Sequence, residues 1–231
     1  FGSSVMMDFV KNWVHFIQKA QLTPFLIGAA DLPLLRECTR LGLPAAGIDP
    51  SLDVWTYQRK PGYGKEVYEM KSEWKYFRHH NSDFLEMGLV KVAFLWELLS
   101  AGFNVLISDL DVVWLNGHWQ RWMTWADPLH PPVPQAALIA LADVLVTTDE
   151  LSAKRDAQGG RLGGMHTELN TGVVHFRATP GAKAMVQQWR KSMLSQKGRR
   201  DLTENVNDQS LFNQVVRGGD VRAPPQVCRF T

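Results

Sequence analysis

Two aspartates, Asp109 and Asp111, follow directly after the apolar run 105–108. Such a run predicts a buried strand, and two acids at positions i and i+2 past its end can face one cation. Mg²⁺ and Mn²⁺ prefer carboxylate oxygens and keep open positions for water or substrate phosphates. The pair therefore indicates a site for a metal-bound diphosphate; the alternative is an ordinary strand-end turn, where aspartate is common.

Lys91 is a cation on an otherwise apolar helix face. Helical spacing places it on the same face as Leu95 and Leu98. Because an unpaired buried charge is costly, we expect Lys91 to meet an acid of its own fold, to extend to the edge of the core, or to bind an anion. Geometry excludes Glu97 as its partner but allows a distant aspartate.

Two polar segments could contact a substrate. In the stretch HTELNTGVVHF, a polar turn of Asn170, Thr171 and Gly172 enters a strand, and small residues there let a ligand approach the backbone. The alternative is a plain strand-entry turn. Asp208 and Gln209 open a predicted helix, so Asp208 is either its cap or a carboxylate offered to a sugar hydroxyl.

The elements that would position these residues alternate along the first half of the chain. Helical spacing of apolar residues predicts helices over 9–20, 33–41, 89–101 and 180–193, the second and third ending at Gly42 and Gly102. Apolar runs predict strands at 25–29, 105–108, 144–147 and 172–176. This alternation predicts a mainly parallel sheet covered on both faces, with ligands outside the carboxyl ends of the strands, where Asp31 also lies.

Length and composition are typical of one large globular domain. The chain has 231 residues, of which 45% are hydrophobic, and we expect all of them to form one catalytic domain. Its formal net charge of +2 comes from well-mixed signs. Without a broad basic surface, no nucleic-acid partner is predicted.

The two cysteines and the chain's hydropathy bear on its compartment. Cys38 and Cys228 match no metal-ligand spacing, so they are either one long-loop disulfide or two free thiols, of which the second is favoured. No apolar run is long enough to cross a bilayer. We expect the sequence, which opens at Phe1, to be the soluble part of a longer protein, with any membrane segment outside it.

The order of these segments resembles that of a known family. After a lysine-bearing helix come LLSAGFNVLISDLDVVWL, ADVLVTTDE, LNTGVVHFRATPGAKAMVQQW and NDQSLFNQVV. This order is similar to the nucleotide-diphospho-sugar transferase domain of glycosyltransferase family 77, the plant and algal arabinosyl- and xylosyltransferase group. The resemblance spans residues 9–225. It implies a GT-A-type α/β fold, a Rossmann-like three-layer sandwich with a mainly parallel central sheet.

The resemblance also implies an activity: retaining transfer of arabinose, xylose or galactose from a UDP-sugar donor to a glycan or a hydroxyproline-rich glycoprotein. It implies Mn²⁺ (or Mg²⁺) as the cofactor and a type II membrane protein of the Golgi lumen. It assigns metal binding to Asp109 and Asp111, catalysis to Asp208 and Gln209, and substrate binding to Asp31, Lys91, Asp149, Asn170, Thr171 and Gly172.

The sequence departs from the family pattern at one point, and two alternative functions remain open beside the transferase. Related enzymes add a late histidine as a metal ligand, but no histidine follows His175 here. Water and phosphate could replace it, the ligand could lie beyond Thr231, or the fold could serve as a nucleotide-sugar-binding module with weak or no turnover. The second alternative is a haloacid-dehalogenase-type phosphatase, which also uses an apolar strand followed by DxD. It requires a later pair of acids that the region of Asp220 lacks.

Overall fold

The structure is a computed structural model, and it describes residues 1–47, 81–119, 139, 141–150, 152, 154, 168–196, 206–218 and 227–229. A short 3-10 turn, Ser4–Met6, precedes the first helix. Numbered in chain order, the helices and strands are α1 (Met7–Lys19), β1 (Ile27–Ala29), α2 (Leu32–Arg40), β2 (Ala45–Gly47), α3 (Asn81–Ser100), β3 (Val105–Ser108), β4 (Val144–Thr148), β5 (Leu169–Phe176), α4 (Pro180–Gln196), α5 (Asp208–Gly218) and β6 (Val227–Arg229).

The ends of the helices follow local chemistry. The Asp31 carboxylate accepts the N–H of Leu34 (2.9 Å) and caps α2, and Pro33 occupies its first turn. Past the ends of α2 and α3, Gly42 and Gly102 have φ values of 66° and 89°, a left-handed conformation that favours glycine. Both predicted helix ends are thereby confirmed.

The strands form two sheets of mixed direction. One has the order β1-β2, with a parallel pair, and the other has the order β3-β5-β4-β6. In the second sheet β5 is antiparallel to both β3 and β4, whereas β4 and β6 are parallel. The expectation of a mainly parallel sheet is therefore wrong for the part of the chain that the structure describes. A strand buried on both faces reads as an apolar run whether its neighbours are parallel or antiparallel, so the sequence pattern did not show the direction.

The antiparallel direction of β5 decides where its polar residues lie. Ser108, the last residue of β3, pairs with Val173, and Thr148, the last residue of β4, pairs with Leu169. The first half of β5 therefore lies beside the carboxyl ends of β3 and β4. Within that half the register with β4 is interrupted, since Val146 pairs with Val174 but Thr147 pairs with Asn170.

Three helices cover one face of the four-stranded sheet. Side chains of α3, α4 and α5 form the largest apolar cluster with alternate residues of the strands, including Val174 and Phe176 of β5. His175 lies on the other face, between its cross-strand neighbours Leu106 and Leu145. A second cluster joins α1, α2 and β1. The described residues show a mixed α/β architecture, and the three-layer sandwich remains an expectation from the family.

Two further expectations concern the thiols and the membrane. Cys38 is a buried free thiol in the cluster of α1, α2 and β1, and burial raises its pKa. This agrees with the alternative of free thiols. Among the helices in the described ranges, none has both the length and the hydropathy needed to span a membrane.

Candidate functional site

A cavity of about 350 Å³, called the site cavity below, opens at the carboxyl end of β3. Asp109 and Asp111 both line it; the Asp109 side chain is 39% exposed, and Asp111 is exposed. The backbone N–H of Asp109 donates to the carbonyl of Gly172 (2.7 Å), which ties the end of β3 to β5. The other polar residues lining the cavity are Lys91, Thr171, Asn207, Asp208 and Gln209.

The rest of the lining of the site cavity is largely apolar. It comes from Phe1 and Gly2, the turn Ser4–Met6, α1 and the first half of α3. Charged groups are thus concentrated where β3, β5, α3 and α5 meet. The structure brings the two predicted metal ligands and the two predicted catalytic residues to the same cavity as Lys91 and Thr171.

Lys91 is the buried cation of the site cavity, with 3% of its side chain exposed. Its Nζ donates to the carbonyl of Thr171 (2.9 Å), to Asp208 Oδ2 (3.2 Å) and to Asp109 Oδ1 (3.5 Å). Burial lowers the pKa of Lys91, but the negative charges of Asp109 and Asp208 outweigh burial and hold the pKa above its ordinary value. Of the alternatives left open for Lys91, the structure shows the pairing with distant aspartates.

Asp208 reaches Lys91 because another residue caps its helix. The Asn207 side chain accepts the backbone N–H of Ser210 (2.8 Å), so Asn207 is the N-cap of α5. The carboxylate of Asp208, 10% exposed, is thereby available to Lys91 and to the hydroxyl of Thr171 (3.3 Å). The Trp189 indole donates to the backbone carbonyl of Asp208 (2.8 Å) and holds the start of α5 against α4.

Two glycines permit the close approach of these elements. A Cβ added at Gly88 of α3 would lie 2.9 Å from the Cβ of Asp208. A Cβ added at Gly172 would lie 2.8 Å from Asn170 Oδ1 and 3.2 Å from Asp109 Oδ2. All three distances are shorter than ordinary contacts, so a side chain would displace Asp208 at the first position and Asn170 at the second.

Three predicted site residues form a hydrogen-bonded group beside the cavity, called the amide frame: Asp149, Asn170 and Gln209. The Asp149 carboxylate accepts Asn170 Nδ2 (2.6 Å) through one oxygen and Gln209 Nε2 (2.7 Å) through the other. The Asn170 carbonyl accepts the N–H of Gly172 (2.7 Å), and the Gln209 carbonyl accepts the N–H of Thr171 (3.1 Å). Of the frame, Gln209 lines the cavity.

Asp31 lies apart from this group, although it too follows a strand. Its carboxylate is fully buried and accepts the N–H of Leu34 and both the N–H (2.9 Å) and the hydroxyl (2.8 Å) of Ser4. It does not line the site cavity. The structure gives Asp31 the role of a helix cap that also anchors the chain ahead of α1.

Several residues that position the site were missed from the sequence. The Ser108 hydroxyl accepts the indole N–H groups of Trp13 and Trp114, each at 3.0 Å, and so links α1 to the segment that carries Asp109 and Asp111. Asn213 of α5 is buried and bonds both the N–H and the carbonyl of Leu169 (2.9 and 2.8 Å). The tryptophans themselves could have indicated such a contact, because a buried indole N–H needs a hydrogen-bond acceptor.

The donor set at Asp109 and Asp111 fits a hard divalent cation with an incomplete protein shell. Both are carboxylates at one cavity, whereas the described residues contain no group of three or more His, Cys, Asp or Glu arranged to hold a metal. Mg²⁺ commonly takes one or two carboxylates and completes its shell with water and substrate phosphates. The pair therefore suits a cation that arrives with a diphosphate.

Fold and site together define a mixed α/β protein with paired carboxylates and a buried lysine at one strand edge. The family model described as nucleotide-diphospho-sugar transferase matches residues 20–230. Arabinosyltransferase XEG113 of Arabidopsis thaliana is 26% identical over 218 residues, covering 94% of this chain and 28% of that protein. The UDP-D-xylose:L-fucose alpha-1,3-D-xylosyltransferase of the same plant is 23% identical over 216 residues, covering 93% of this chain and 50% of that protein.

This chain belongs to the nucleotide-diphospho-sugar transferase family, because the family model matches nearly all of it. The resemblance of its motifs to that domain is confirmed. The chain spans half or less of the length of these two relatives. No solved structure matches it.

Proposed function

We propose that this domain transfers arabinose, xylose or galactose from a UDP-sugar to a glycan or hydroxyproline-rich glycoprotein acceptor, with retention of configuration. One observation carries the proposal: in a chain of this family, buried Lys91 meets Asp109 and Asp208 in a cavity that Asp111 also lines. The arabinosyl- and xylosyltransferase names of the relatives support a pentose as the first choice.

The charges of the site cavity suit the departure of a diphosphate. Breaking the bond between sugar and diphosphate builds negative charge on the leaving group, which fixed positive groups stabilise. Lys91 is buried and its three N–H donors are held by protein acceptors, so its fixed positive charge would stabilise the leaving group through space. Mn²⁺ (or Mg²⁺), held by Asp109 and Asp111, would supply further neutralisation of the leaving diphosphate.

The sugar develops positive, oxocarbenium character as the leaving group departs. We assign this role to Asp208; in support, Asn207 caps α5 and leaves the Asp208 side chain at the cavity. Thr171 lines the same cavity and is suited to the donor sugar.

Incubation of the protein with Mn²⁺ and a panel of nucleotide sugars tests the proposal. Release or transfer of sugar from a UDP-sugar supports a transferase. Binding of the donor without turnover would instead support a binding module, for which the two-carboxylate donor set is the motivating observation. Phosphate release from a simple monoester would favour the phosphatase chemistry that the DxD sequence also allows.

Replacement of Asp111 gives a sharper test that does not need the acceptor. A ligand that binds the native state raises the melting temperature by mass action, so UDP-sugar and Mn²⁺ together should raise it more than either alone. Asp111→Asn should abolish the part of this shift that requires Mn²⁺. Glu97→Gln, which removes one exposed negative charge from α3 outside the cavity, is the control. An undiminished shift in Asp111→Asn would exclude Asp111 as a ligand.

A further inference from the structure

The amide frame has a fixed polarity that begins at Asp149. A carboxylate only accepts hydrogen bonds, so Asp149 must face the NH₂ ends of the two side-chain amides. This leaves the carbonyl of Asn170 directed at the N–H of Gly172 (2.7 Å) and the carbonyl of Gln209 directed at the N–H of Thr171 (3.1 Å). Both ends of each amide are used within the protein.

The two backbone N–H groups held by the frame belong to the part of β5 that leaves its register with β4. The carbonyls of the same two residues support the site cavity: Thr171 O accepts Lys91 Nζ (2.9 Å) and Gly172 O accepts the N–H of Asp109 (2.7 Å). A shift of this segment would therefore move the buried lysine and the end of β3 together.

We propose that Asp149 is a positioning residue for the transfer reaction: it orients the amides of Asn170 and Gln209, and these hold Thr171 and Gly172 against Lys91 and Asp109. In this assignment Asp149, Asn170 and Gln209 act through the backbone of β5 and do not contact the sugar. The inference rests on the proposed function and adds to it the means by which an exposed acid outside the cavity controls the geometry inside it.

The direction of the hydrogen bond between Asp149 and Gln209 supplies a test. It can be reversed by exchanging carboxylate and amide groups, which have nearly the same shape. Asp149→Asn leaves one acceptor and one donor facing two NH₂ groups, so one amide of the frame must turn. Gln209→Glu sets two carboxylates against each other. In the double variant D149N/Q209E, the new amide donates to the new carboxylate and still accepts Asn170 Nδ2, and the carboxylate accepts the N–H of Thr171. All four hydrogen bonds are restored.

The expected result is recovery in the double variant. Each single variant should lower kcat about tenfold or more, the scale of losing a hydrogen bond to a charged group, with donor KM within about twofold. D149N/Q209E should return to within about threefold of the native kcat. Glu150→Gln removes a neighbouring acid whose carboxylate accepts the N–H of Ser152, outside the frame, and should leave kcat unchanged.

Two outcomes would overturn the assignment. Single variants with native kcat would show that the frame positions nothing that matters to the reaction. A double variant no more active than Q209E would mean that the Gln209 amide acts on the substrate directly. If the native protein turns over no donor, the proposed function fails. The melting temperatures of the native protein, D149N, Q209E and D149N/Q209E then test the frame by itself. Additive decreases in melting temperature, without recovery in the double variant, would disprove its reciprocal hydrogen bonds.

Discussion

Asp31 and Asp109 both follow short strands, β1 and β3, yet the fold uses them in opposite ways. The Asp31 carboxylate is fully buried and is satisfied by Leu34 and Ser4. The Asp109 side chain is 39% exposed, and among the described residues its side-chain partner is Lys91, at 3.5 Å. Position at the end of a strand is therefore not enough to identify a ligand-binding acid. The protein donors that already surround the carboxylate decide its role.

The largest effect is expected at Lys91, which pairs with both Asp109 and Asp208. Lys91→Met would leave the buried Asp208 and the half-buried Asp109 without their shared partner, and breaking a buried pair in this way costs about 4 kcal/mol of unfolding free energy. Urea denaturation at pH 7 measures it. Arg40→Ala breaks the exposed pair with Glu37 and should cost much less, because solvent screens that pair. Equal losses in the two variants would contradict the comparison.

A buried ionisable group away from the cavity gives the next effect. Burial, with a smaller contribution from the charge of Arg177, lowers the pKa of His175 to about 4. Between pH 6.5 and 4 the unfolded state is therefore protonated while the folded state is not. The free energy of unfolding should decrease as the pH falls through this window, by up to about 3 kcal/mol, and should be retained above pH 6.5.

Denaturation across this pH range, compared in two variants, assigns the effect to one histidine. His175→Leu should flatten the dependence, because leucine suits a position between Leu106 and Leu145 and does not titrate. His15→Gln changes an exposed histidine on α1 and should leave the slope in place. A slope that survives in His175→Leu would show that another group is responsible.

The smallest effect on stability is expected when the two aspartates, Asp31 and Asp109, are replaced and compared directly. Asp31→Ala removes a helix cap and should cost about 2 kcal/mol of unfolding free energy, without changing the Mn²⁺-dependent part of the melting shift caused by UDP-sugar. Asp109→Asn should do the reverse: a smaller stability loss, because its side chain is partly exposed, and loss of that shift. Parallel denaturation and melting experiments measure both. If Asp31→Ala also abolished the shift, a structural role alone would not suffice for Asp31.

Local patterns predicted much of the secondary structure. The helical spacing of apolar residues placed α1 and α2 within a few residues of their bounds, and the run 105–108 predicted β3 with both ends correct. α3 begins at Asn81, although the sequence pattern predicted a start at Leu89. The prediction started late because Gly88 and the polar residues ahead of it interrupt the apolar pattern. Helix ends at Gly42 and Gly102 were predictable because the left-handed backbone needs a residue without Cβ.

The site could be predicted only in part. The DxD pair, Lys91 and Asp208 carry chemical types that the order of motifs singles out, and the structure brings them to one cavity. The cap of α5 is a local hydrogen bond between Asn207 and Ser210, whereas the approach at Gly88 depends on the contact between α5 and α3. No spacing along the chain encodes that contact, because it joins residues more than a hundred positions apart.

What the sequence determined by itself is the set of groups: an apolar strand ending in two acids, a lysine on an apolar helix face, and polar residues at the starts of β5 and α5. Only the tertiary structure decided that β5 runs antiparallel, that Asp208 is a charged partner of Lys91, and that Asp149 joins two amides. The physical reason is that periodicity reports which side chains are buried, whereas the pairing of charges and amides depends on which elements meet.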